Sequence, residues 1–208
     1  MAISIATLLF APGARAISGG VAWQPRVGGD LIGTKAPQWR GIEWLQGGPL
    51  SLADLTRSGK VVLLRFWLID CPLCEQTAPA LRELHERYRQ RGLVVVGIHH
   101  PKSERSRQSE IVLERTRELG FAFPVGTDDE WQTLRAYGVG TVFESYTSVS
   151  FVIDAGGVIR FVHDGGEFHR GGGNGHAECN SAYEALVASI EEVLADRARS
   201  LGQPEIEN

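Results

Sequence analysis

The 208-residue chain has only three cysteines and a single methionine. Three thiols are too few for a disulfide-stapled scaffold, and only Cys71 and Cys74 have two-residue spacing, which excludes a zinc ribbon. Past the N-terminus no stretch approaches the ~20 apolar residues that a bilayer span requires. A basic block is missing as well: Lys+Arg total 21 against 25 Asp+Glu, a net charge of −4. With a pI near 5.9 the chain carries no electrostatic footprint for nucleic acid or an anionic membrane. The glycine run Gly171-Gly172-Gly173-Asn174-Gly175 has no Lys-Ser/Thr after it, so it is not a phosphate loop. With 43% hydrophobic and 22% charged residues the chain also lacks the composition of a disordered protein, and its length suits one core.

Ala2 to Ala11 is almost wholly apolar, and Ala14-Arg15-Ala16 follows with small residues where a signal peptidase reads. Residues 1–16 are therefore expected to be a signal peptide, although no Lys or Arg precedes the apolar run. The expected product is extracytoplasmic or periplasmic after cleavage near Ala16, without stable membrane insertion; cytoplasmic residence is the alternative. Residues 17–30 read as an extended lead-in, 31–197 as the folded domain and 198–208 as a polar tail.

Within the domain, Trp39 to Leu50 reads as a short hairpin turning at Gly47-Gly48, and Ser51-Leu52-Ala53-Asp54 has capping-box spacing. Val61 to Trp67, apolar except for Arg65, reads as a strand covered on both faces. Glu75 to Arg91 reads as a helix stopped by Gly92, Leu93 to Ile98 as a strand, Ser109 to Leu119 as a helix and Phe121 to Val125 as a strand. Thr127-Asp128-Asp129-Glu130 has the spacing of a second capping box, opening a helix through Ala136. Val149 to Asp154 and Val158 to His163 flank the turn Ala155-Gly156-Gly157, and a last helix is expected over Ser181 to Arg197. The pattern predicts an α/β fold: a central mixed sheet with helices on both faces, an N-terminal hairpin extension and an extra strand-helix insertion.

Cys71-Pro72-Leu73-Cys74 places two thiols on one turn at a helix start. Unpaired N–H groups and the helix dipole there favour an anion, so Cys71 is the expected nucleophile and Cys74 its resolver. Pro72 suits the first turn, where its missing N–H is not needed. Packed core thiols or half of a metal site are the alternatives. His99-His100 ends a strand at the sheet edge and offers a candidate general base, the alternative being a loop pair with no duty. His163, His169, His176 and Cys179, with Asp164 and Glu178 nearby, lie among glycines that can wrap a soft metal. No bound metal is expected; the alternative is a metal held by His163, His169, His176 and Cys179.

The strand ending in Phe66-Trp67, the CxxC at the next helix start and Pro79 five residues after Cys74 together resemble the thioredoxin superfamily. Ala36-Pro37, Leu50 to Leu55, Gly59-Lys60-Val61-Val62-Leu63-Leu64 and the extra helix between Ile98 and Phe121 look more narrowly like exported TlpA/ResA-type thiol-disulfide oxidoreductases and related AhpC/TSA-type redoxins. The resemblance covers about residues 31–194. It implies a thioredoxin-like fold and a thiol-disulfide oxidoreductase whose redox-active group is the Cys71-Cys74 disulfide, with no other cofactor. Disulfide or dithiol proteins are the implied substrates, with a membrane thiol-electron donor if the protein works as a reductant. A thioredoxin-fold metal-binding protein or metallochaperone is the alternative. Thiol peroxidase is another, although Leu68 and Leu64 stand where a peroxidatic cysteine's approach would have Thr or Ser and Pro, and the supporting arginine before the late strand is absent.

The chain departs from the family pattern at four places. Asp70 takes the place of a tryptophan before Cys71, and Arg65 that of a buried proton-relaying carboxylate. In Thr147-Ser148-Val149-Ser150, Ser148 falls in the slot of a cis-proline that faces the disulfide. Gly138 to Tyr146 is longer than usual, and Glu144, Ser145 and Tyr146 are expected to overhang the site.

Overall fold

A computed structural model describes residues 23–143 and 146–202; the expected signal peptide, much of the lead-in, Glu144, Ser145 and the end of the polar tail lie outside them. The elements are β1 (Glu43–Gln46), α1 (Leu52–Arg57), β2 (Val61–Trp67), α2 (Pro72–Tyr88), β3 (Leu93–His99), α3 (Ser109–Glu118), β4 (Val125–Thr127), α4 (Gln132–Ala136), β5 (Ser150–Ile153), β6 (Ile159–His163) and α5 (Ala177–Ser200). They form one six-stranded sheet in the order β1-β4-β3-β2-β5-β6. β2, β3 and β4 run parallel, while β1, β5 and β6 are antiparallel to their neighbours, so the expected mixed sheet is observed.

Alternation along β2 splits the core. Val61, Leu63 and Trp67 join residues of α2 and α5 on one face, and Val62, Leu64 and Phe66 join α1 and α4 on the other. All seven β2 residues are buried, which is why the strand reads as a continuous apolar run. Arg65 is the sole charge in it, and the alternation sends it to the face that carries α2.

Three local expectations are corrected. The hairpin over Trp39 to Leu50 does not form: β1 pairs with β4, about eighty residues away. The Gln46 side chain donates to the carbonyls of Phe121 and Phe123, both at 2.7 Å, and Gly47 packs against Pro124, so this edge is zipped to a distant segment. The same contacts displace the expected Phe121–Val125 strand to Val125–Thr127, since Gln46 occupies two carbonyls and Pro124 has no N–H to give. The second capping box is also shifted. Thr127 ends β4, and the Asp128 carboxylate caps α4 by accepting from Gln132 N–H at 2.9 Å and Leu134 N–H at 2.8 Å.

The first capping box holds, with Ser51 Oγ accepting from Asp54 N–H. α5 begins at Ala177 rather than Ser181, which puts Cys179 on its first turn. The described end of the lead-in is packed: Trp23 stacks on Phe161 at 5.1 Å and on His163 at 5.4 Å.

Candidate active site

The chain leaves β2 at Trp67 and turns into α2 with Cys71 as N-cap and Pro72 in the first turn. The extended backbone of Cys71, with φ −111° and ψ 108°, turns its side chain toward the free amides of the helix start, and Cys74 N–H donates to Cys71 Sγ at 3.3 Å. The Cys74 thiol donates to the same sulfur. Together with these amides and the Arg65 charge, it draws the Cys71 thiol down to about 6 against the effect of burial. Cys74 is only 3% exposed. Its thiol is pushed up by the hydrogen bond it gives to Cys71 and by burial. All three cysteines are free thiols. The pair therefore divides into an accessible thiolate and a buried, protonated partner.

Arg65 lies beneath the pair and is 1% exposed. Its Nη1 donates to Ser150 Oγ at 3.1 Å and its Nη2 to the Gly166 carbonyl at 3.0 Å, the guanidinium stands 5.4 Å from the Phe168 ring centre, and Nε has no partner. Burial disfavours its charge, and the groups that favour it are Cys74 and Cys71. A guanidinium stays protonated under these conditions, so this cation cannot relay a proton; it favours a thiolate above it. Arg65→Met is expected to raise the Cys71 pKa by about one unit, which is ~1.4 kcal/mol. A weaker thiolate destabilises the reduced pair, so the reduction potential should fall by ~30 mV for a two-electron couple. Titration of the alkylation rate and a glutathione equilibrium measure the two shifts, and neither is expected to move if Arg65 only fills space.

Asp70 does not oppose the thiolate as its position suggests. Its carboxylate is paired with Arg105 at 2.8 Å, both groups being exposed. Arg105 sits in a short 3₁₀ turn thirty-five residues downstream, and nothing local in the sequence points to it. Cys71 opens onto a polar groove of about 400 Å³ whose walls include Asp70, Glu75, Arg105 and Arg115.

The other expected surroundings separate into core and rim. Trp67 is core, edge-on to His99 at 5.3 Å and to Phe121 at 5.4 Å. Pro79 lies within α2 and leaves the Glu75 carbonyl without its helical N–H. His99 and His100 are fully buried, and none of their ring nitrogens has a hydrogen-bond partner. Burial pushes His99 down to about 4 and His100 well below the ordinary range. Neither imidazole is hydrogen-bonded to a thiol, and both are poor bases at neutral pH. Ser148 is buried beside half-buried Thr147, and the neighbouring Val149 carbonyl accepts from Phe66 N–H at 3.0 Å, anchoring this loop to β2. The cis peptide among the described residues is Gly48–Pro49, so the Ser148 peptide is trans. Tyr146 is 47% exposed and, with Leu73 and Glu167, lines a cleft of about 600 Å³.

The late cluster assembles with one change of member. His169, His176 and Cys179 come together with Glu167, whereas His163 is buried between Trp23 and the Phe168 ring. Strand alternation carries the signal for this: His163 shares the inward face of β6 with Phe161.

The sequence profile described as the AhpC/TSA family matches residues 32–162. The thiol-disulfide oxidoreductase ResA of Bacillus thuringiensis is 30% identical over 128 residues, covering 62% of this chain and 66% of that protein. Protein DipZ of Mycobacterium bovis is 30% identical over 134 residues, covering 62% of this chain but only 18% of that protein. The chain thus spans less than a fifth of the DipZ length and about two thirds of ResA. Among solved structures, a thiol:disulfide interchange protein of the thioredoxin family from Chlorobium tepidum matches with a TM-score of 0.58 at 24% identity, covering 77% of this chain and 96% of that one. The thioredoxin domain of a thiol-disulfide oxidoreductase from Bacteroides vulgatus matches with a TM-score of 0.55 at 22% identity, covering 78% and 97%. These likenesses show the fold, which is thioredoxin-like.

Proposed function

The chain belongs to the AhpC/TSA family, and from that premise we propose that it is a thiol-disulfide oxidoreductase, exchanging a Cys71-Cys74 dithiol or disulfide with protein or small-molecule disulfides. The observation that carries this reading is the asymmetry of the pair: Cys71 at the N-cap with its thiol drawn down to about 6, and Cys74 buried and protonated against it. The Cys71 thiolate attacks a substrate disulfide, forms a mixed disulfide and releases one substrate thiolate, which takes up a proton. Cys74 then gives up its proton and attacks Cys71 Sγ, releasing the second substrate thiol. The Cys71-Cys74 disulfide closes, and two electrons have passed to the substrate.

Peroxide reduction by the same thiolate is a weaker reading, because Leu68 and Leu64 stand in place of the hydroxyl and proline of a peroxidatic approach and Leu64 is fully buried. The apolar N-terminal segment supports export and action outside the cytoplasm. A reductant working there draws electrons from a membrane dithiol donor. No helix among the described residues is long and apolar enough to cross a membrane.

Equilibration in glutathione redox buffers, followed by acid quenching, unfolding in denaturant with a chelator, alkylation and mass analysis, tests the reading. Cys71 and Cys74 are expected to lose label together as one two-electron couple while Cys179 stays labelled. Independent oxidation of the two, or no mutual disulfide, overturns it.

A further inference from the structure

The glycine-rich loop between β6 and α5 has no part in the exchange chemistry, yet it is built around a cluster of donors. Glu167, His169 and His176 come from the loop and Cys179 from the first turn of α5, and one donor atom from each lies within 4.8 Å of all the others. His176 Nδ1 is 3.1 Å from His169 Nε2, and Cys179 Sγ is 3.4 Å from Glu167 Oε1. The same carboxylate oxygen is 3.9 Å from His169 Nε2 and 3.8 Å from His176 Nδ1. Around a tetrahedral zinc, with bonds of about 2.3 Å to sulfur and about 2.0–2.1 Å to nitrogen or oxygen, neighbouring donors stand about 3.3–3.6 Å apart. The four side chains therefore already occupy something close to the vertices of such a site.

The local chain is shaped to hold them there. Gly171, Gly172 and Gly173 have φ of 84°, 90° and 72°, a left-handed run that folds the loop back onto the helix, and a Cβ at Gly172 would come within 2.6 Å of the His176 ring. Asn180 fastens the loop from the helix side. Its Oδ1 accepts from Gly171 N–H at 2.8 Å, and its Nδ2 donates to the carbonyls of Gly171 at 2.9 Å and His176 at 2.6 Å. His169 Nδ1 faces the Arg170 carbonyl at 3.3 Å, and the tautomer that donates there leaves Nε2 with its lone pair toward the cluster. Glu167 Oε2 is buried without a partner.

We propose that Glu167, His169, His176 and Cys179 bind one zinc(II) ion, which staples the loop to α5. A carboxylate, a thiolate, two neutral imidazoles and a divalent ion sum to zero charge, as a half-buried site requires. The mixed O, N and S donors suit a borderline cation and not calcium or magnesium, which take oxygen. The consequence for the exchange site is indirect. Gly166, next to Glu167, supplies the carbonyl that holds Arg65, so a metal that fixes the loop also fixes the guanidinium beneath the dithiol.

The test uses the full chain carrying Cys71→Ser and Cys74→Ser, which leaves Cys179 as the sole thiol and removes the dithiol as a competing ligand. Equilibrium dialysis against Zn(II) followed by metal analysis should find one zinc per chain. Adding His169→Ala and His176→Ala should weaken binding by more than the ~10–100-fold that loss of an outer-shell partner costs. Co(II) in place of zinc should give a thiolate-to-cobalt charge-transfer band that Cys179→Ser abolishes. Wild-type protein with the Cys71-Cys74 disulfide closed should hold the same single zinc, which covers a folding failure of the serine variant. No zinc in either protein, or affinity unchanged by the two histidine substitutions, overturns the proposal. The readout is metal content, so its failure leaves the exchange reading intact, and loss of the exchange reading leaves this one.

Discussion

Cys71→Ser is expected to abolish catalysis of disulfide reduction, so that insulin precipitation in the presence of dithiothreitol falls to the uncatalysed rate. The thiolate is the nucleophile in such exchange, and a serine hydroxyl does not ionise in its place. Cys74 cannot substitute for it, because it is 3% exposed and its thiol is held protonated by burial and by the bond it gives to Cys71. Cys74→Ser has a different expected outcome. Cys71 still attacks, but nothing closes the ring, so a mixed disulfide should accumulate and be visible by mass. Appreciable turnover by Cys71→Ser would contradict this division of labour.

Acid is expected to destabilise the fold well before its carboxylates titrate. His99, His100 and His163 are buried, and His99 and His163 are pushed down by burial to about 4 and about 3. Asp129 and Asp70 oppose that shift at His99 without cancelling it. In the unfolded chain each imidazole titrates near ~6.5, so below that pH the unfolded state binds protons that the folded state refuses. The stability present above ~6.5 is therefore lost as pH falls. By pH 5 this amounts to about 2 kcal/mol for each of His99 and His163, with His100 adding a loss of the same sign. Against a total of about 5–15 kcal/mol for a domain, that is a large fraction. Denaturant midpoints at pH 7, 6 and 5 should fall steadily, and His163→Phe, which keeps a ring between Trp23 and Phe168, should flatten the slope. A midpoint that is constant from pH 7 to 5 would contradict the burial of these rings as neutral groups.

What could be read directly from the chain was local. Ser51 and Asp54 cap a helix because both partners lie within one turn, and the Cys71 N-cap with Pro72 after it follows from the same short-range geometry. The position of Arg65 beneath the dithiol follows from the alternation of β2. Long-range pairing was not legible. Gly47-Gly48 carries turn chemistry, yet β1 is claimed by β4 through Gln46, whose two carbonyl partners are some seventy-five residues away. Arg105 neutralises Asp70 from a segment with no signal of its own. The late cluster exchanged His163 for Glu167 because strand period outweighs residue type: an inward-facing histidine at the end of β6 packs on Trp23 whatever its chemistry.

The central claim is that the fold makes Cys71 a thiolate at neutral pH while Cys74 stays protonated. The most direct measurement is the rate of iodoacetamide labelling of reduced protein across pH 4 to 10, resolved by peptide for each cysteine. The expected profile for Cys71 rises through a midpoint at about 6 and then levels, with Cys74 scarcely labelled over the same range. A Cys71 midpoint in the ordinary thiol range near ~8.5, or equal labelling of the two cysteines, would contradict the account.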